Sequence, residues 1–306
     1  MASREQALDT RELVARRLQG GGVDWRSAVL EALLLLTLLA SLGVLFVLLA
    51  DTIGKALPVL LERPVEFLTS PVSARPERAG ILQAIVGSIT VTAVVVLLAI
   101  PVGIGAAIYL EEYARDTRLA RFIRTNIRNL AGVPAIVYGL LGLAVFSTTL
   151  GLGSALLAGG LTLAILVLPI VVITTSEALS AVPGAIREAA FGVGATRWET
   201  IRSHVLPYAA PGILTGMILS LARAFGETAP LLVVGAIAGT FSFVGAPWEQ
   251  LFEGYTTLPT IVYHWSGDHR AEFRALSAAA IVVLLGVILL ANATAIILRN
   301  RYDRKW

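Results

Sequence analysis

Residues 183–207 read PGAIREAAFGVGATRWETIRSHVLP, a polar stretch set between apolar runs. Pro183 suits the first turn of a helix, and the alanine-rich residues after it favour continuation of that helix. Gly192 and Gly194 should end it. Residues 196–199, TRWE, have the T-x-x-E form of a capping box, so a second helix should begin there. The stretch therefore predicts a short helix–turn–helix.

The connection that contains this stretch is long. It covers about 35 residues, 177–210, whereas connections in compact domains have a median of about 4–6 residues. Pro207 and Pro211 should end the second helix before the next apolar run begins. A plain loop between two membrane helices would need neither capped helix. The length and the caps together favour a docking surface for another protein.

The composition indicates an integral membrane protein. The 306 residues are 56% hydrophobic and 15% charged, with a mean hydropathy of +0.79. Soluble domains are usually about 45–50% apolar and about 25% charged. The net charge of +3 gives no reason to expect a nucleic-acid partner. The chain has no cysteine, and His204, His264 and His269 lack the spacing of metal ligands, so neither a metal nor another cofactor is expected.

Apolar runs predict an all-α protein with six transmembrane helices. The runs are residues 28–50, 81–110, 130–150, 155–175, 212–236 and 276–298. Pro101 lies inside the second run, and Pro169 should interrupt the fourth. Residues 51–80 should be a loop with one short helix, and the charged segment 109–129 should be a helix at a membrane surface. Trp248, Tyr255, Tyr263 and Trp265 suit a membrane interface.

Six spans would place both termini on the same side of the membrane. Most of the 24 Lys and Arg residues fall on that side, in 1–27, 111–129, 177–210 and 299–306. Few fall in the opposite loops, 51–80, 151–154 and 237–275. The positive-inside rule therefore predicts cytoplasmic termini and a cytoplasmic helix–turn–helix.

The helix–turn–helix resembles a motif of permease subunits of bacterial ABC importers. The residues in register with that motif are Glu188, Ala189, Ala190, Gly194, Leu206 and Pro207. His204 departs from it, because the family usually has isoleucine there. Four further stretches narrow the resemblance to the PstA-type permease subunits of bacterial phosphate importers, within the MetI-like, binding-protein-dependent transport permease family. They are GILQAIVGSITVT (80–92), IPVGIGAAIYLEEYA (100–114), GVPAIVYGLLGL (132–143) and LARAFGETAPLL (221–232).

The resemblance implies a division of the chain. Residues 1–27 would be a cytoplasmic segment and 28–80 the first transmembrane helix with a periplasmic loop. Residues 81–298 would be the permease core of a MetI-like fold, with coupling helices at 183–207, and 299–306 would be a cytoplasmic tail. In that family the motif helix enters a groove of a separate cytoplasmic ATPase, so this chain would itself be no enzyme.

The resemblance also implies partners and a location. The partners would be a PstC-type permease subunit, an ATPase dimer of the PstB type and a periplasmic phosphate-binding protein of the PstS type. The substrate would be inorganic phosphate, and the chain would lie in the lipid bilayer of a bacterial inner (plasma) membrane.

A narrow stripe of small and polar residues runs along the fifth predicted span. Gly216, Ser220, Arg223 and Glu227 follow each other at helical spacing, so they should share one face. Gly212 and Gly216 form a G-x-x-x-G pair, which allows close approach of another helix. Arg223 lies roughly 16 Å into the span at about 1.5 Å per residue, near its middle. An arginine at a span centre should face protein or water.

This arginine has a structural and a functional interpretation. In the first, Arg223 only pairs with Glu227, although a basic residue four positions before an acidic one is the less favourable order. In the second, its planar fork binds an oxyanion. Phosphate keeps a proton near pH 7, unlike sulfate, so Glu227 would accept its hydrogen bond. Ser220, Gly216 and Tyr138 would line the same pathway, and for Tyr138 a role in packing is an equal alternative.

Three alternatives to a phosphate permease subunit stay open. The first is a permease for another oxyanion or small nutrient. The second is an intramembrane enzyme, but the predicted spans offer no Ser/His, Asp/Asp or His-rich constellation. The third is a passive channel, which would have no use for an ATPase-docking motif.

Overall fold

The computed structural model describes residues 25–237, 239 and 248–302. Two compact units are distinguished, Met1–Thr52 and Ile53–Trp306. The described residues are mainly helical, and their only bridge between extended segments is the isolated pair Ala155 and Gly254. The predicted all-α fold is confirmed. The predictions for residues 1–24 and 303–306 lie outside the described residues.

The first helix, α1, is longer than the predicted first span. It runs over Trp25–Glu62 and contains Pro58, although residues 51–80 were predicted to be a loop. A proline removes one backbone donor, and this helix nevertheless continues past Pro58, with Ala56 buried just before it. The short helix expected after it is α2, Pro64–Thr69.

Two long helices form the centre of the second unit. Helix α3 covers Leu82–Ile108 and continues as a π-helical turn, Tyr109–Tyr113, and α6 covers Leu156–Ser180. Pro169 lies inside α6 without a break, so the predicted interruption is wrong. Membrane helices tolerate proline because neighbouring groups and local adjustments satisfy the freed carbonyl.

Glycines let α3 and α6 approach each other closely. A Cβ added at Gly103 would lie 2.6 Å from Val171 Cγ1, and one added at Gly160 would lie 2.7 Å from Val94 Cγ1. Both distances are too short for a Cβ at either position to be accommodated without a shift of its neighbours. Small residues at these crossings therefore bring the two backbones together and form the centre of the main buried cluster.

The third predicted span is preceded by a separate helix that meets it at a sharp bend. Helix α4 covers Arg118–Ala131, and α5 covers Ala135–Gly142 before a π-helical segment, Leu143–Thr149. The two halves meet at 101°. The predicted start at residue 130 is wrong, because Pro134 cannot donate to a continuing helix and caps α5 instead. The charged segment expected to be helical is mostly α4.

The helix–turn–helix leads without interruption into a long helix. It consists of α7, Gly184–Gly192, and α8, Arg197–Thr200, which continues through a π-helical turn into α9, Leu206–Gly226. The expectation that Pro207 and Pro211 end the second helix is therefore wrong. The hydroxyl of Thr215 donates to the carbonyl of Pro211 over 2.8 Å, the usual bond from a helical threonine to the residue four positions before it.

The fifth predicted span is broken near its end. Helix α9 ends at Gly226, and a separate short helix, α10, covers Ala229–Val234. Helices α11, Leu258–Ser266, and α12, Ala271–Tyr302, complete the described chain. Helix α12 contains the sixth predicted span.

Among the described residues, five helices are long and apolar enough to cross a membrane, or six if the bent pair of α4 and α5 counts as one span. This agrees with the predicted number of spans.

The aromatic residues predicted at a membrane interface divide into two groups. Trp248 and Tyr263 are exposed, whereas Tyr255 and Trp265 are buried in the protein core. The Tyr255 hydroxyl donates to the carbonyl of Leu231 over 3.3 Å. For Tyr255 and Trp265 the interface prediction is wrong, because α10 and α12 supply apolar partners that the local sequence does not reveal.

Candidate functional site

The turn between α7 and α8 has the predicted local structure. Gly192 ends α7, and Gly194 adopts a φ of +86°, a conformation that favours glycine. Thr196 caps α8, since its hydroxyl accepts from the Glu199 backbone N–H over 3.3 Å. The Glu199 carboxylate accepts from the Thr196 N–H over 2.8 Å, which completes the capping box. The predicted helix–turn–helix is confirmed.

This exposed turn, residues 188–198, presents large apolar groups. Phe191, Val193 and Trp198 are 47%, 85% and 52% exposed. Large apolar side chains exposed so close together in sequence are typical of an interaction surface. The turn therefore has the chemistry of a docking site for another protein.

The six motif residues divide between exposed positions and positions packed against the rest of the protein. Glu188, Ala189 and Gly194 are exposed, and Ala190 is buried. Leu206 packs on the apolar cluster beneath the turn, and Pro207 is exposed at the start of α9. The structure thus gives the motif an outer part that is open to a partner and an inner part that holds the turn on the bundle.

One ion pair beside this surface involves residues that the sequence analysis does not single out. Arg187 Nη2 lies 2.7 Å from Glu112 Oε1, at the end of α3. The signal in the sequence was weak, because the two residues are 75 positions apart. The proximity of Arg187 to the motif residue Glu188 was the one available hint.

The predicted pair of Arg223 and Glu227 is present at the end of α9. Arg223 Nε donates to Glu227 Oε1 over 3.1 Å, and the two side chains are 47% and 18% exposed. Arg223 lies in the last turn of α9, and Glu227 has left the helix with a ψ of 118°. The prediction that Arg223 occupies the middle of one continuous helix is therefore wrong, since Gly226 ends the helix first.

The other half of the predicted stripe packs against α6. A Cβ at Gly216 would lie 2.3 Å from Thr174 Oγ1, and one at Gly212 would lie 2.9 Å from Ala178 Cβ. Ser220 is buried, and its hydroxyl donates to the carbonyl of Gly216 over 2.8 Å. The G-x-x-x-G prediction of a close helix contact is confirmed. Gly216 faces this seam and Ser220 is buried one turn further along, whereas Arg223 is 47% exposed.

Tyr138 lies in the core beside the end of α9. It is buried in the same cluster as Ala224, the residue after Arg223. Its hydroxyl donates to the carbonyl of Leu130 over 2.8 Å, across the bend between α4 and α5. The neighbouring Gly139 lets α10 approach, since a Cβ there would lie 2.8 Å from Pro230 Cα. Tyr138 thus supports the elements on either side of the Arg223 pair.

Two proteins of known sequence are similar to this chain over more than half of its length. It is 36% identical over 172 residues to the probable ABC transporter permease protein YqgI of Bacillus subtilis, covering 56% of this chain and 58% of the relative. The chain thus spans less than two thirds of that relative. It is 32% identical over 252 residues to the phosphate transport system permease protein PstA of Xylella fastidiosa, covering 81% of this chain and 84% of the relative.

The fold has a counterpart among solved structures. A chain in the crystal structure of a bacterial alginate ABC transporter, in complex with an alginate pentasaccharide-bound periplasmic protein, superposes with a TM-score of 0.67. That likeness covers 92% of this chain and 96% of the other, at 16% identity, and so concerns the fold alone. Residues 99–304 match the family described as binding-protein-dependent transport system inner membrane component. The chain is therefore a multi-pass inner membrane protein and belongs to this family of transport permeases.

Proposed function

We propose that this chain is one permease subunit of an ATP-driven phosphate importer. It forms half of the translocation pathway, together with a PstC-type permease subunit. A cytoplasmic ATPase dimer of the PstB type hydrolyses the ATP, and a periplasmic protein of the PstS type delivers phosphate. The chain itself is not an enzyme. The relative named as a phosphate permease, which aligns over most of both chains, supports this function.

The exposed turn supports an ATP-driven mechanism over a passive channel. Its outer residues, Phe191, Val193 and Trp198, offer a partner an apolar surface. Glu188, Ala189 and Gly194 are accessible beside them. We assign these residues to contact with the ATPase. Ala190, Leu206 and Pro207 are assigned to the connection between the turn and α9. A channel would have no use for such a surface.

The observation that carries the substrate assignment is the Arg223–Glu227 pair beside a helix break. Broken membrane helices and the charged groups at their ends are recurrent places for ion binding in transporters. Within the described part of the chain, Glu227 is the one acceptor that Arg223 binds, through Nε. The terminal nitrogens of its fork can therefore donate two parallel hydrogen bonds to an oxyanion.

Glu227 gives a physical reason to prefer phosphate over sulfate. A carboxylate repels a bare anion but accepts a hydrogen bond from a protonated one. Phosphate keeps a proton near neutral pH, and sulfate does not. Glu227 lies 3.1 Å from Arg223, so one ion can contact both side chains.

The remaining predicted pathway residues act next to this pair. Gly216 lets α9 pack against α6, Ser220 is buried one turn further along α9, and Tyr138 bonds across the bend beside Ala224. In this proposal they border the pathway and fix the direction from which Arg223 meets the ion.

Uptake by the assembled complex tests the function. The chain is produced with its three partners in a strain that lacks other phosphate importers, and radiolabelled phosphate uptake is measured with and without excess sulfate. We expect ATP-dependent uptake that sulfate does not inhibit. Strong competition by sulfate would instead indicate a permease for another oxyanion. Uptake without ATP would indicate a channel.

The orientation is tested by labelling single cysteines in this cysteine-free chain. Gly267→Cys and Val193→Cys are suitable positions, because both residues are exposed. We propose that both termini and the exposed turn are cytoplasmic, as the distribution of basic residues indicates. An impermeant thiol reagent should then label position 267 once the outer membrane is permeabilised. It should label position 193 only after the inner membrane is opened, and the reverse pattern would contradict the proposed orientation.

A further inference from the structure

The end of α3 is joined to three other elements through two adjacent carboxylates. The π-helical turn Tyr109–Tyr113 carries both Glu111 and Glu112. Glu111 accepts from the Ser180 hydroxyl at the end of α6 over 3.3 Å and lies 3.8 Å from Arg124 Nε on α4. Glu112 pairs with Arg187 on α7. Local π-helical turns often mark functional positions in helices, and this one turns adjacent carboxylates toward different partners.

Arg187 uses all three of its guanidinium nitrogens. Nε lies 3.2 Å and 3.3 Å from the two oxygens of Glu112, and Nη2 lies 2.7 Å from Oε1. Nη1 and Nη2 also donate to the carbonyls of Val182 and Leu179, each over 2.9 Å. One side chain thus connects α7 to the end of α3 and to the last turn of α6.

The Arg187–Glu112 ion pair, which we call the joint, is largely shielded from solvent. The Glu112 side chain is 8% exposed and that of Arg187 is 23% exposed. Charge-assisted bonds of this kind gain strength and direction when water is excluded. The neighbouring Glu111–Arg124 pair is longer and more exposed, so it holds its elements less firmly.

The position of this joint links the exposed turn to the membrane helices. Arg187 immediately precedes Glu188, the first motif residue of the exposed turn. Glu112 ends the helix that packs along α6 through Gly103 and Gly160. A displacement of α7 by a partner therefore acts directly on the end of α3 and on the last turn of α6 through Arg187.

We propose that Arg187 and Glu112 are positioning residues that transmit movement of the exposed turn to α3 and α6. The proposal rests on the proposed function, because it concerns the coupling of ATP hydrolysis to transport. Arg187 and Glu112 contact neither the ATP nor the transported ion. Their role is to make the turn and the membrane helices move as one body.

The test variant is the double substitution Glu112→Gln/Arg187→Met, which leaves no unpaired buried charge. The complex is reconstituted in vesicles, and phosphate uptake and ATP hydrolysis are measured on equal amounts of assembled complex. We expect hydrolysis to persist while phosphate imported per ATP falls about tenfold, within the range that coupling networks carry. Arg187→Lys keeps the charge but not the fork, so it should give an intermediate ratio.

A distance measurement between two spin labels tests the Arg187–Glu112 joint without any substrate. Spin labels at Ala185→Cys on α7 and Leu97→Cys on α3 suit this purpose, because both residues are exposed and neither is assigned to contact with the ATPase. We expect a narrow distance distribution with the joint intact and a broad one in the double variant. Arg121→Met is the matched control, since its pair with Asp116 is 64% and 75% exposed and should change neither readout.

The outcomes distinguish a failure of the role proposed for Arg187 and Glu112 from a failure of the proposed function. A wild-type uptake ratio, or a distance distribution of unchanged width in the double variant, would overturn the joint. So would a parallel loss of hydrolysis and uptake, which is what a merely structural role predicts. If the wild-type complex hydrolyses ATP but imports no phosphate, the proposed function fails, and the width of the distribution still decides the joint.

Discussion

Two arginine–glutamate pairs in this chain have the same chemistry and different surroundings. Arg187 and Glu112 are 23% and 8% exposed, and the arginine also binds two backbone carbonyls. Arg223 and Glu227 are 47% and 18% exposed, and Nε makes the one hydrogen bond between them. The first arginine has acceptors for all three of its nitrogens, whereas among the described residues the second bonds an acceptor through Nε alone.

The difference shows why an ion pair has to be interpreted from its environment. A guanidinium whose three nitrogens all donate to protein acceptors holds those acceptors together. A guanidinium that is half exposed and bonded through one nitrogen can exchange water for an anion without losing its own support. The two proposals accordingly give Arg187 a mechanical role and Arg223 a binding role, and substitutions can test each of them.

The largest effect is expected at Arg223. Arg223→Gln keeps a polar donor and removes the charge, so phosphate uptake should be abolished while the protein still inserts and binds its partners. Arg223→Lys should recover only part of the uptake, because a point charge does not reproduce the fork. Radiolabelled uptake and co-purification of the partners measure the two outcomes.

A double variant separates binding from structure at the same site. If Arg223 and Glu227 serve only each other, Arg223→Gln/Glu227→Gln should restore transport, since no unpaired charge remains. If Arg223 binds the ion, the double variant should stay inactive. Normal uptake by an assembled double variant would remove the contrast between the two pairs.

The next largest effect is expected in the exposed turn. Gly194→Glu places bulk, charge and a strained backbone where φ is +86°, so binding of the ATPase or coupling to it should fall strongly. Gly192→Glu is the matched control, because both positions have open space around a Cβ but Gly192 lacks the positive φ. ATPase co-purification and uptake should be impaired more at 194 than at 192. Equal behaviour of the two variants would argue against the backbone explanation.

A smaller effect concerns the seam between α9 and α6. Gly216→Ala would bring a Cβ within 2.3 Å of Thr174 Oγ1, and overpacking of this kind typically costs about 1–3 kcal/mol. The melting temperature of the purified protein should fall, and Thr174→Gly in the same chain should recover part of the loss. Gly286→Ala in α12, where a Cβ meets nothing within 4 Å, should leave the melting temperature unchanged or raise it.

The smallest effect is expected for a third arginine pair. Arg121 and Asp116 are 64% and 75% exposed and lie 3.6 Å apart, and exposed pairs contribute about 0–1 kcal/mol. Arg121→Met should therefore leave both the melting temperature and phosphate uptake close to those of the wild type. A large loss from this substitution would show that exposure does not rank the arginine pairs of this chain.

The sequence by itself determined the features that depend on near neighbours. Long apolar runs indicate membrane helices, and Thr196 and Glu199 predict a capping box within one turn. Arg223 and Glu227 are four positions apart, so their pairing is available to any chain that turns helically there. In each case the interacting groups are within a few residues of each other, and the local pattern is sufficient.

The tertiary structure decided the features that depend on distant partners. Pro169, Pro207 and Pro211 look like helix breaks in the sequence, yet each of them lies inside a continuous helix. Gly216 and Ser220 share a stripe with Arg223 by spacing, but which of them faces α6 depends on where that helix packs. Arg187 pairs with Glu112, which lies 75 positions away in the sequence. A contact of that length forms only when the helices are assembled, because no local pattern encodes the position of a neighbouring helix.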